Sequence, residues 1–512
     1  MTSHLFSGLM AKAPASDKPF IAVNGGRTIT YGDLVKESAR LAATLVNLGV
    51  QPGDRVAVQV EKSAEAIVLY LATVRAGAIF LPLNTAYTLA ELDYFLGDAE
   101  PRLVVCDPAK VDGIKELAGR HSIAAVETLD GAGRGSLMDK AAALPEAAAT
   151  AFVDVPRGPD DLAAILYTSG TTGRSKGAML SHDNLLSNAL TLVDYWRFTD
   201  KDVLLHALPI FHTHGLFVAT NTILAAGASM LFLPKFDADK VMALLPEATS
   251  MMGVPTFYTR LLQHEGLTRD ATAHIRLFVS GSAPLLAETH REWRERTGHA
   301  ILERYGMTET NMNTSNPYDG DRIAGTVGYP LPGVELRVVD ADTRQPVTAD
   351  AIGVIEVRGP NVFKGYWRNP EKTKEEFRAD GFFITGDLGK VDAAGYVHIV
   401  GRAKDLIISG GFNVYPKEIE EAIDDLPGVV ESAVIGLPHP DFGEGVVAVV
   451  VPDPKSPADP EAVGAALADR LAKFKQPKHV FIVDELPRNT MGKVQKNILR
   501  QRFADIFQKP AG

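Results

Sequence analysis

The chain has 512 residues, more than a single hydrophobic core usually supports, so we expect at least two lobes. Its composition, with 46% hydrophobic and 22% charged residues, is typical of a globular protein and excludes intrinsic disorder. The formal net charge of -11 argues against a nucleic-acid partner, because binding to phosphate backbones requires clustered lysine and arginine.

Features of a targeted, membrane or disulfide-bonded protein are missing from the sequence. The N-terminus MTSHLFSGLMAKAPASDKPF lacks a basic stretch before an apolar core, and no run of about 18 apolar residues occurs. The only cysteine, Cys106, lies in the apolar run RLVVCDP, which excludes disulfides within the chain and thiol metal clusters. The sequence therefore predicts a cytoplasmic protein without a membrane span, whose partners are small molecules.

Short apolar runs alternate with longer amphipathic segments over the first two thirds of the chain. RVAVQV (55–60) precedes the helical pattern SAEAIVLYLATVRAGA, and further strand-like runs are RLVVCD, LAAILYTSG, DVLLHALPIF, SMLFLP and IRLFVSGS. This alternation predicts βα units and parallel sheets.

The pattern changes twice in the last third. From GTVGYPLPGVELRVVD onward the sequence reads as strands and Gly-rich turns, which predicts a β-rich subdomain. After GRAKD it returns to helix and strand patterns, beginning with KEIEEAIDDL and ending with the basic helix GKVQKNILRQRF. We therefore predict two domains, residues 1–403 and residues 404–512, with the boundary near Lys404.

The stretch YTSGTTGRSKG, from Tyr167 to Gly177, places small residues and two cations directly after the apolar run LAAIL. It matches neither the P-loop pattern, because Ser175 and Gly177 flank Lys176 in the wrong order, nor the Gly-x-Ser-x-Gly elbow. Its backbone N–H groups, its hydroxyls and Lys176 could nevertheless surround phosphate oxygens. From these residues alone, an anion-binding loop and a solvated surface loop are equally good interpretations.

Seven motifs in a fixed order change that balance. Between Leu162 and Lys496 they are YTSGTTGRSKG, PIFHTHGL, SGSAPL, ERYGMTE, TGD, GRAKDLIISGGFNVYPKEIE and PRNTMGKVQK. Together they closely resemble the adenylate-forming superfamily of acyl-CoA synthetases, adenylation domains and firefly luciferase. The resemblance implies an α/β fold with a large N-terminal lobe of two αβ subdomains plus a β-barrel, and a small mobile α+β C-terminal lobe.

The resemblance also implies a reaction and its cofactors. Such enzymes join a carboxylate to ATP as an acyl adenylate, release pyrophosphate, and then transfer the acyl group to a thiol. Bringing a carboxylate against a phosphate sets two anions together, so cations and a metal are needed where charge accumulates. ATP, Mg²⁺ and coenzyme A are therefore the implied cofactors and co-substrates.

The nucleotide site is implied residue by residue. Thr171, Thr172 and Lys176 would hold the β- and γ-phosphates of ATP. Tyr305 would stack on the adenine, and Asp387 would accept hydrogen bonds from the ribose hydroxyls. The full set of implied ATP-binding residues is Thr168, Ser169, Gly170, Thr171, Thr172, Gly173, Lys176, Ser282, Ala283, Pro284, Tyr305, Gly306, Asp387 and Arg402.

Three residues are implied for the adenylation step itself. Thr308 would contact the α-phosphate, and Glu309 would hold Mg²⁺, a hard cation suited to carboxylate and phosphate oxygens. Lys493 would reach between the carboxylate and the α-phosphate during adenylation only.

The C-terminal lobe would rotate between the two half-reactions. The family's pivot is an Asp or Lys two residues after the Arg of GRxK or GRxD, which is Lys404 in this chain. Rotation would withdraw Lys493 and bring the segment SGGFN toward the adenylate as a wall for the pantetheine arm. Ser409, Gly410 and Gly411 are therefore the implied coenzyme A contacts, and the glycines suit a backbone lying close to a ligand.

Simpler interpretations exist for most of these residues. Lys493 could be a solvated charge, Asp387 could make an Asx-turn, and Glu309 could be a carboxylate at a helix N-terminus. His212 and His214 in FHTHG invite a zinc interpretation, but no third ligand lies at a matching spacing, and the resemblance implies a substrate-pocket residue there.

The acid substrate is inferred from Arg304, immediately before the YG of ERYGMTE. Relatives that act on fatty or aromatic acids usually have an uncharged residue there, whereas a guanidinium beside the acyl pocket favours a second carboxylate. The segment resembles the malonate-activating members of the superfamily, with Arg304, His212 and Ser282 implied as substrate-binding residues. The competing interpretation is a structural salt bridge from Arg304 to Glu303 or another acid.

The favoured function is ATP-dependent ligation of malonate to coenzyme A through malonyl-AMP, with release of AMP and pyrophosphate. The alternatives are ligation of another short acid such as methylmalonate, loading of a carrier protein by a stand-alone adenylation enzyme, a luciferase-like oxygenase and a non-catalytic nucleotide sensor. The chain ends at Gly512 without a carrier domain or a Ser-Lys-Leu terminus, which argues against the carrier-loading and oxygenase alternatives. The filled catalytic positions argue against the sensor.

Overall fold

A computed structural model describes residues 3–168, 175–409, 412–468, 470–489 and 492–507. The strands, numbered in chain order, are β1 Pro19–Val23, β2 Thr28–Thr30, β3 Arg55–Gln59, β4 Ile79–Pro82, β5 Leu103–Cys106, β6 Ala125–Thr128, β7 Leu162–Thr168, β8 Lys176–Ser181, β9 Val203–His206, β10 Ser229–Phe232, β11 Ser250–Gly253, β12 Leu277–Ser280, β13 Leu302–Met307, β14 Asn311–Ser315, β15 Tyr329–Pro330, β16 Glu335–Val339, β17 Gly353–Arg358, β18 Phe383–Val391, β19 Val397–Arg402, β20 Ile407–Ser409, β21 Phe412–Val414, β22 Val429–His439, β23 Gly443–Pro452 and β24 His479–Ile482.

The α-helices connect these strands and cover the sheets. They are α1 His4–Leu9, α2 Tyr31–Asn47, α3 Ala64–Arg75, α4 Leu89–Ala99, α5 Val111–Arg120, α6 Ser136–Ala143, α7 Glu146–Thr150, α8 His182–Tyr195, α9 Thr222–Ala226, α10 Ala238–Leu244, α11 Pro255–Leu262, α12 Arg269–Thr272, α13 Ala287–Thr297, α14 Pro370–Glu376, α15 Pro416–Asp424, α16 Pro460–Ala468 and α17 Lys496–Arg502. Within the described residues, no helix has the length and apolar character needed to cross a membrane.

Two largely parallel sheets form the first part of the chain, as the alternation of strand and helix patterns predicts. A six-stranded sheet has the order β6-β5-β3-β4-β7-β8, and a nine-stranded sheet has the order β15-β14-β13-β12-β11-β9-β10-β1-β2. The strand predicted at 55–60 is β3, and the helical pattern after it is α3, whose residues are all buried. A single large apolar cluster contains residues of both sheets and of α2, α3 and α8, so the two αβ units share a core.

The β-rich segment is a four-stranded antiparallel sheet of order β16-β17-β18-β19. Its register places Asp387 of β18 directly opposite Arg402 of β19. The pairing therefore brings together two motifs, TGD and GRAKD, that are separated along the chain.

The C-terminal segment is a compact α+β unit. Its antiparallel sheet has the order β21-β20-β23-β22, and β24 pairs with β23 in parallel. The apolar residues of this segment form two clusters of their own, one centred on Ile419 and Val446 and one on Ile435 and Leu499. A separate core is what a lobe that moves as a rigid body requires.

A π-helix runs from His214 to Asn221 and continues into α9. π-helical turns are rare and occur mainly at functional sites. The motif FHTHGL, in which this π-helix begins, does not predict this geometry.

Candidate active site

The described site residues converge where the strand ends of the nine-stranded sheet meet β7, β8 and the C-terminal lobe. Thr168 and Lys176 lie on paired positions of β7 and β8, at the two ends of the loop between these strands. Seven predicted site residues fall outside the described residues: Ser169, Gly170, Thr171, Thr172, Gly173, Gly410 and Gly411.

Arg304 is a buried cation without a partner among the described residues. It lies on β13 with 4% of its surface exposed, and its Nε and Nη2 atoms make no hydrogen bond. The predicted alternative, a salt bridge to Glu303, does not form, because successive side chains of a strand point to opposite faces. Burial lowers the pKa of Arg304 to about 9.

Gly281 leaves space for the guanidinium of Arg304 because it has no side chain. A Cβ atom at position 281 would lie 2.4–2.6 Å from the Cζ, Nε and Nη1 atoms of Arg304. The motif SGSAPL therefore supplies the flat surface against which the guanidinium lies.

Two histidines stand near Arg304. His214 Nδ1 lies 3.2 Å from Ser282 Oγ, and Ser282 has a left-handed backbone with φ of 73°. Such strain in a non-glycine residue is concentrated at functional sites. Burial and the charges of Arg304 and Lys493 lower the pKa of His212 to about 4, so the ring is neutral near pH 7.

Zinc binding by these histidines has no support in the geometry. The described residues contain no group of three or more His, Cys, Asp or Glu side chains arranged to hold a metal ion. A structural zinc site usually needs four such ligands, and a catalytic site three.

The predicted ribose contact, Asp387, is held from two sides. Its carboxylate forms an ion pair with Arg402 at 2.6 Å and accepts a hydrogen bond from the hydroxyl of Tyr305 at 2.5 Å. Its exposed fraction is 3%, and the charge of Asp387 raises the pKa of Arg402. The hydroxyl of Tyr305 thus orients Asp387, a contact that the sequence analysis did not anticipate.

Glu309 belongs to a network around Tyr366. The hydroxyl of Tyr366 lies 3.1 Å from Glu309 and 2.5 Å from Glu376, and Lys176 lies 3.3 Å from Glu376 and 4.4 Å above the Tyr366 ring. One hydroxyl proton cannot fully satisfy two carboxylates, and burial raises the pKa of Glu309. A nearby cation would favour the charged form of this buried carboxylate, so Glu309 suits a hard cation such as Mg²⁺.

Lys493 reaches the N-terminal lobe from the C-terminal one. A Cβ atom on the neighbouring Gly492 would lie 3.4 Å from Thr256 of α11, so this loop rests on that helix. Although Lys493 keeps contact with solvent, desolvation by the surrounding protein and the nearby charge of Arg402 lower its pKa to about 8. The charge of Lys493, like that of Arg304, also lowers the pKa of His212, so Lys493 lies within electrostatic range of this histidine.

The remaining predicted residues lie on the rim or in the turn of the site. Ala283 is half-buried and Pro284 exposed, next to Ser282. Gly306, near the end of β13, is required by the close approach of β14, since a Cβ atom there would lie 1.8 Å from the carbonyl oxygen of Asn311. Thr308 follows in the turn between β13 and β14.

The predicted hinge lies directly after β19. Lys404 is exposed in a single 3₁₀ turn, Ala403–Asp405, and Asp405 pairs with Arg500 at 2.7 Å. Ser409 is buried at the end of β20. Lys404 is therefore exposed in a short turn directly after β19, and its role as a pivot stays a prediction.

Several residues near this site could not be identified from the sequence motifs. Tyr366 and Glu376 lie in GYWRNPEKTKEEF, which contains none of the seven motifs, and nothing in SGSAPL distinguishes Gly281 from its neighbours. Lys62 and His206 are buried, and their side chains are hydrogen-bonded to each other at 2.9 Å; both interrupt apolar surroundings, in VQVEKSAEAI and VLLHAL, which is the signal by which they could be found.

Comparison with known proteins gives consistent matches. The family model of the AMP-binding enzyme matches residues 10–367, and that of the AMP-binding enzyme C-terminal domain matches residues 418–493. A malonate–CoA ligase of Arabidopsis thaliana is 34% identical, covering 93% of this chain and 85% of its own. A feruloyl-CoA synthase of an Amycolatopsis species is 36% identical, covering 94% and 95%.

Solved structures match over nearly the whole chain. ATP-bound MatB from Rhodopseudomonas palustris is 65% identical, covers 99% of this chain and 100% of its own, and has a TM-score of 0.96. Apo MatB from the same organism has the same identity and coverage but a TM-score of 0.85.

Proposed function

The chain belongs to the AMP-binding enzyme family, and we propose that it ligates malonate to coenzyme A through a malonyl-AMP intermediate, releasing pyrophosphate and then AMP. ATP, Mg²⁺ and coenzyme A are its cofactor and co-substrates. The 65% identity to MatB and the 34% identity to a malonate–CoA ligase support this function over that of the feruloyl-CoA synthase.

The observation that carries the choice of malonate is the unpartnered guanidinium of Arg304. A buried arginine without a partner is costly, by about 3–5 kcal/mol when a pair is broken, and a substrate carboxylate removes that penalty. A carboxylate about 4 Å away contributes on the order of 4 kcal/mol at an effective dielectric constant near 20, before desolvation is subtracted. Both effects favour a diacid over a monoacid.

Two cations near His212 fit the two carboxylates of malonate. The charges of Lys493 and Arg304 both lower the pKa of His212, so both lie within electrostatic range of this histidine. The reacting carboxylate would lie toward Lys493 and the distal carboxylate toward Arg304, with neutral His212 and His214 beside the short carbon chain. With the reacting carboxylate fixed at the α-phosphate, the extra methylene of succinate would move its distal carboxylate away from Arg304.

Adenylation joins a carboxylate oxygen of malonate to the α-phosphorus of ATP and breaks the bond to pyrophosphate. Lys493 would stabilise the charge that develops between carboxylate and α-phosphate, and Thr308 would contact the α-phosphate. Tyr305, Asp387 and Arg402 would hold the nucleoside, with Ser282, Ala283 and Pro284 as the adenine wall.

Phosphate and metal binding are assigned to the neighbouring network. Lys176 would bind the β- and γ-phosphates after leaving Glu376, together with Thr168 and the loop outside the described residues. Glu309 would hold Mg²⁺, which neutralises phosphate charge when bound. Tyr366 would keep the Glu309 carboxylate oriented through its hydroxyl.

The second half-reaction attacks the carbonyl carbon of the adenylate with the coenzyme A sulfur; AMP leaves and the thiol proton is lost. We assign residues 1–403 to the adenylation lobe and 404–512 to a lobe that pivots at Lys404 and then presents Ser409, Gly410 and Gly411. The closer likeness to ATP-bound MatB than to apo MatB, at equal sequence identity, supports the interpretation that the lobes are in the adenylation arrangement.

The cytoplasm is the proposed location. The single cysteine, Cys106, is buried, and burial raises its thiol pKa to about 12, so the chain neither forms internal disulfides nor exposes a reactive thiol. Fractionation of source cells with an antibody against the chain tests this location, and recovery with an organelle or membrane fraction would contradict it.

A panel of acids tests the function. Pyrophosphate release and CoA-thioester formation are measured with malonate, methylmalonate, succinate, acetate, propionate, butyrate and ferulate, with and without coenzyme A. Malonate should exceed each monoacid by about a hundredfold or more in kcat/KM, with methylmalonate next, because only these two offer both carboxylates at the right spacing. Preference for a monoacid, or pyrophosphate release without thioester formation in the presence of coenzyme A, would refute malonate–CoA ligation.

A further inference from the structure

A buried lysine bridges the two αβ units behind the acid pocket. Lys62 lies between β3 and α3 with 7% of its surface exposed, and its Nζ atom donates hydrogen bonds to His206 Nδ1 at 2.9 Å and to the His206 carbonyl at 2.8 Å. Nζ also lies 4.1 Å above the Phe232 ring. β3 belongs to the six-stranded sheet, whereas His206 ends β9 of the nine-stranded sheet, so this one side chain connects both sheets.

The contacts of His206 determine its tautomer. Its Nε2 atom lies 2.8 Å from the carbonyl oxygen of Gly215, which can only accept a hydrogen bond, so Nε2 must carry the proton. Burial and the neighbouring Lys62 keep the pKa of His206 well below its usual value, so the ring is neutral and Nδ1 is an acceptor. Lys62 therefore donates a hydrogen bond to Nδ1 and fixes the orientation of the His206 ring. The ring in turn donates from Nε2 to the carbonyl of Gly215 and restrains that backbone group.

Gly215 is a fixed point at the start of the π-helix. Its carbonyl also accepts a hydrogen bond from Thr220 Oγ1 at 2.9 Å, and a Cβ atom on Gly215 would lie 2.0 Å from the carbonyl oxygen of Pro209. The backbone of Gly215 is thus confined by contacts on two sides. His214, the adjacent residue, directs Nδ1 toward Ser282 and lies near Arg304.

We propose that Lys62 and His206 are positioning residues for the acid substrate: they hold the first turn of the π-helix so that His214 and Ser282 complete the pocket around the distal carboxylate. The inference rests on the proposed function only for the identity of the acid. The chain of contacts runs from Lys62 through His206 and Gly215 to His214, and every link is buried.

The burial of Lys62 indicates that its role is to orient His206 rather than to add stability. No carboxylate pairs with it among the described residues, and desolvation lowers its pKa well below the usual value. Burying an amine without a counter-ion is unfavourable, so an apolar residue would fill the same space with less penalty. What an apolar residue could not do is donate to His206.

Lys62→Met keeps the length of the side chain and removes its donors. The expected result is a fall of about tenfold or more in kcat/KM for malonate, because small displacements of substrate-positioning groups have effects of this size, with the KM for ATP changed by less than about twofold. Pyrophosphate release with varied malonate and varied ATP measures both quantities.

Tyr70→Phe is the matched control. The hydroxyl of Tyr70, on α3, is within 3.3 Å of the Asn221 side chain at the far end of the π-helix, and both residues are buried. This change removes a buried hydrogen bond between the same parts of the fold without touching Gly215. It should leave the KM for malonate unchanged; an equal rise in both variants would show a merely structural role and overturn the proposal.

A double-mutant cycle tests the path of the effect. His206→Gln keeps an N–H donor for the Gly215 carbonyl but has no counterpart of Nδ1, so Lys62→Met should add little to it. If the two changes lower kcat/KM independently and multiply, Lys62 does not act through His206 and the proposal fails.

The tautomer can be read without any substrate. In protein labelled with ¹⁵N-histidine, the signal lost in His206→Gln should show a protonated Nε2 and an unprotonated Nδ1, and it should shift in Lys62→Met but not in Tyr70→Phe. A protonated Nδ1 in the wild-type protein would overturn the proposal. If wild-type enzyme instead prefers another acid, the malonate assignment fails, while this measurement and the KM for that acid still decide the role of Lys62.

Discussion

The proposed nucleotide end and the proposed acid end of the site differ in how their charged groups are paired. At the nucleotide end, Asp387 is held by Arg402 and by the hydroxyl of Tyr305. At the acid end, Arg304 is buried with Nε and Nη2 unpartnered. A paired network holds its geometry whatever acid is offered, whereas an unpaired cation obtains its partner from the substrate. The first arrangement suits a general reaction, and the second selects one class of acid.

Lys493 should show the largest effect, because it serves the reaction where the two ends meet. Lys493→Ala should lower malonyl-AMP formation by about a hundredfold or more, the scale of losing one preorganised charge. Thioester formation from supplied malonyl-AMP should remain near the wild-type rate, since the lobe would have withdrawn this residue. The two half-reactions are measured separately by pyrophosphate release and by CoA-thioester formation. Equal losses in both would contradict a role confined to adenylation.

Arg304→Leu removes the unpaired cation of the acid end and leaves the Asp387–Arg402 pair intact. We expect kcat/KM for malonate to fall by about a hundredfold, with ATP binding unchanged, because the distal carboxylate loses its counter-ion. Since the substitution also removes an unpaired buried charge, the free energy of unfolding should rise by about 1 kcal/mol or more.

Arg402→Leu is the matching change at the nucleotide end. It leaves the Asp387 carboxylate, 4% exposed, without its cation, so the free energy of unfolding should fall by about 1–3 kcal/mol and the KM for ATP should rise. Thermal unfolding of both variants, with isothermal titration of ATP, compares the two ends directly. Opposite signs of the stability change are expected; the same sign in both would remove the distinction between paired and unpaired charges.

The sequence was informative where a motif and its chemistry coincide, and less so where partners are distant. TGD and GRAKD identified Asp387 and Arg402, and the strand register places these residues opposite each other. Whether they bind ribose stays a prediction. The Glu303 alternative for Arg304 stayed open because ERYGM was not assigned to a strand, and a strand sends these neighbours to opposite faces.

Contacts between remote segments could not be predicted. Tyr366 meets Glu309 across 57 residues, and Lys62 meets His206 across 144. Hydrophobic periodicity reports which face of an element is buried, but it carries no information about which distant polar group lies there. The π-helix was equally inaccessible, since its apolar sequence resembles that of an ordinary buried helix.

Gly281→Ala tests whether the position of the Arg304 guanidinium matters, because it displaces the guanidinium and keeps its charge. The added methyl group would lie within 2.6 Å of the Arg304 guanidinium, whose flexible side chain would move rather than the backbone. We expect a loss of about thirtyfold in kcat/KM for malonate, smaller than for Arg304→Leu because the charge stays in the pocket. The KM for ATP and the unfolding temperature should change little. In the double variant with Arg304→Leu the alanine should have no further effect, and an additional loss there would mean that Gly281 acts on something other than Arg304.

The smallest effect on activity is expected from a change of pH, which distinguishes Lys493 from Arg304 because their pKa values differ. The pKa of Lys493 is lowered to about 8 and that of Arg304 to about 9. Each must be protonated to act on an anion, so activity is complete below these values and is lost as pH rises through them. The kcat/KM for malonate should therefore fall about twofold by pH 8 and, because both groups then lose their protons, about twentyfold by pH 9, since kcat/KM reports the free enzyme. In the complex, the carboxylate and phosphates around Lys493 favour its charged form, so the fall in kcat should move to higher pH.

The pH profiles of two variants separate the contributions of the two cations. Arg304→Leu should keep the fall in kcat/KM near pH 8. Lys493→Ala should abolish that fall and leave a low rate that decreases only near pH 9, where Arg304 titrates. A limb near pH 8 that survives in Lys493→Ala would show that another group titrates, and that the lowered pKa of Lys493 does not govern adenylation.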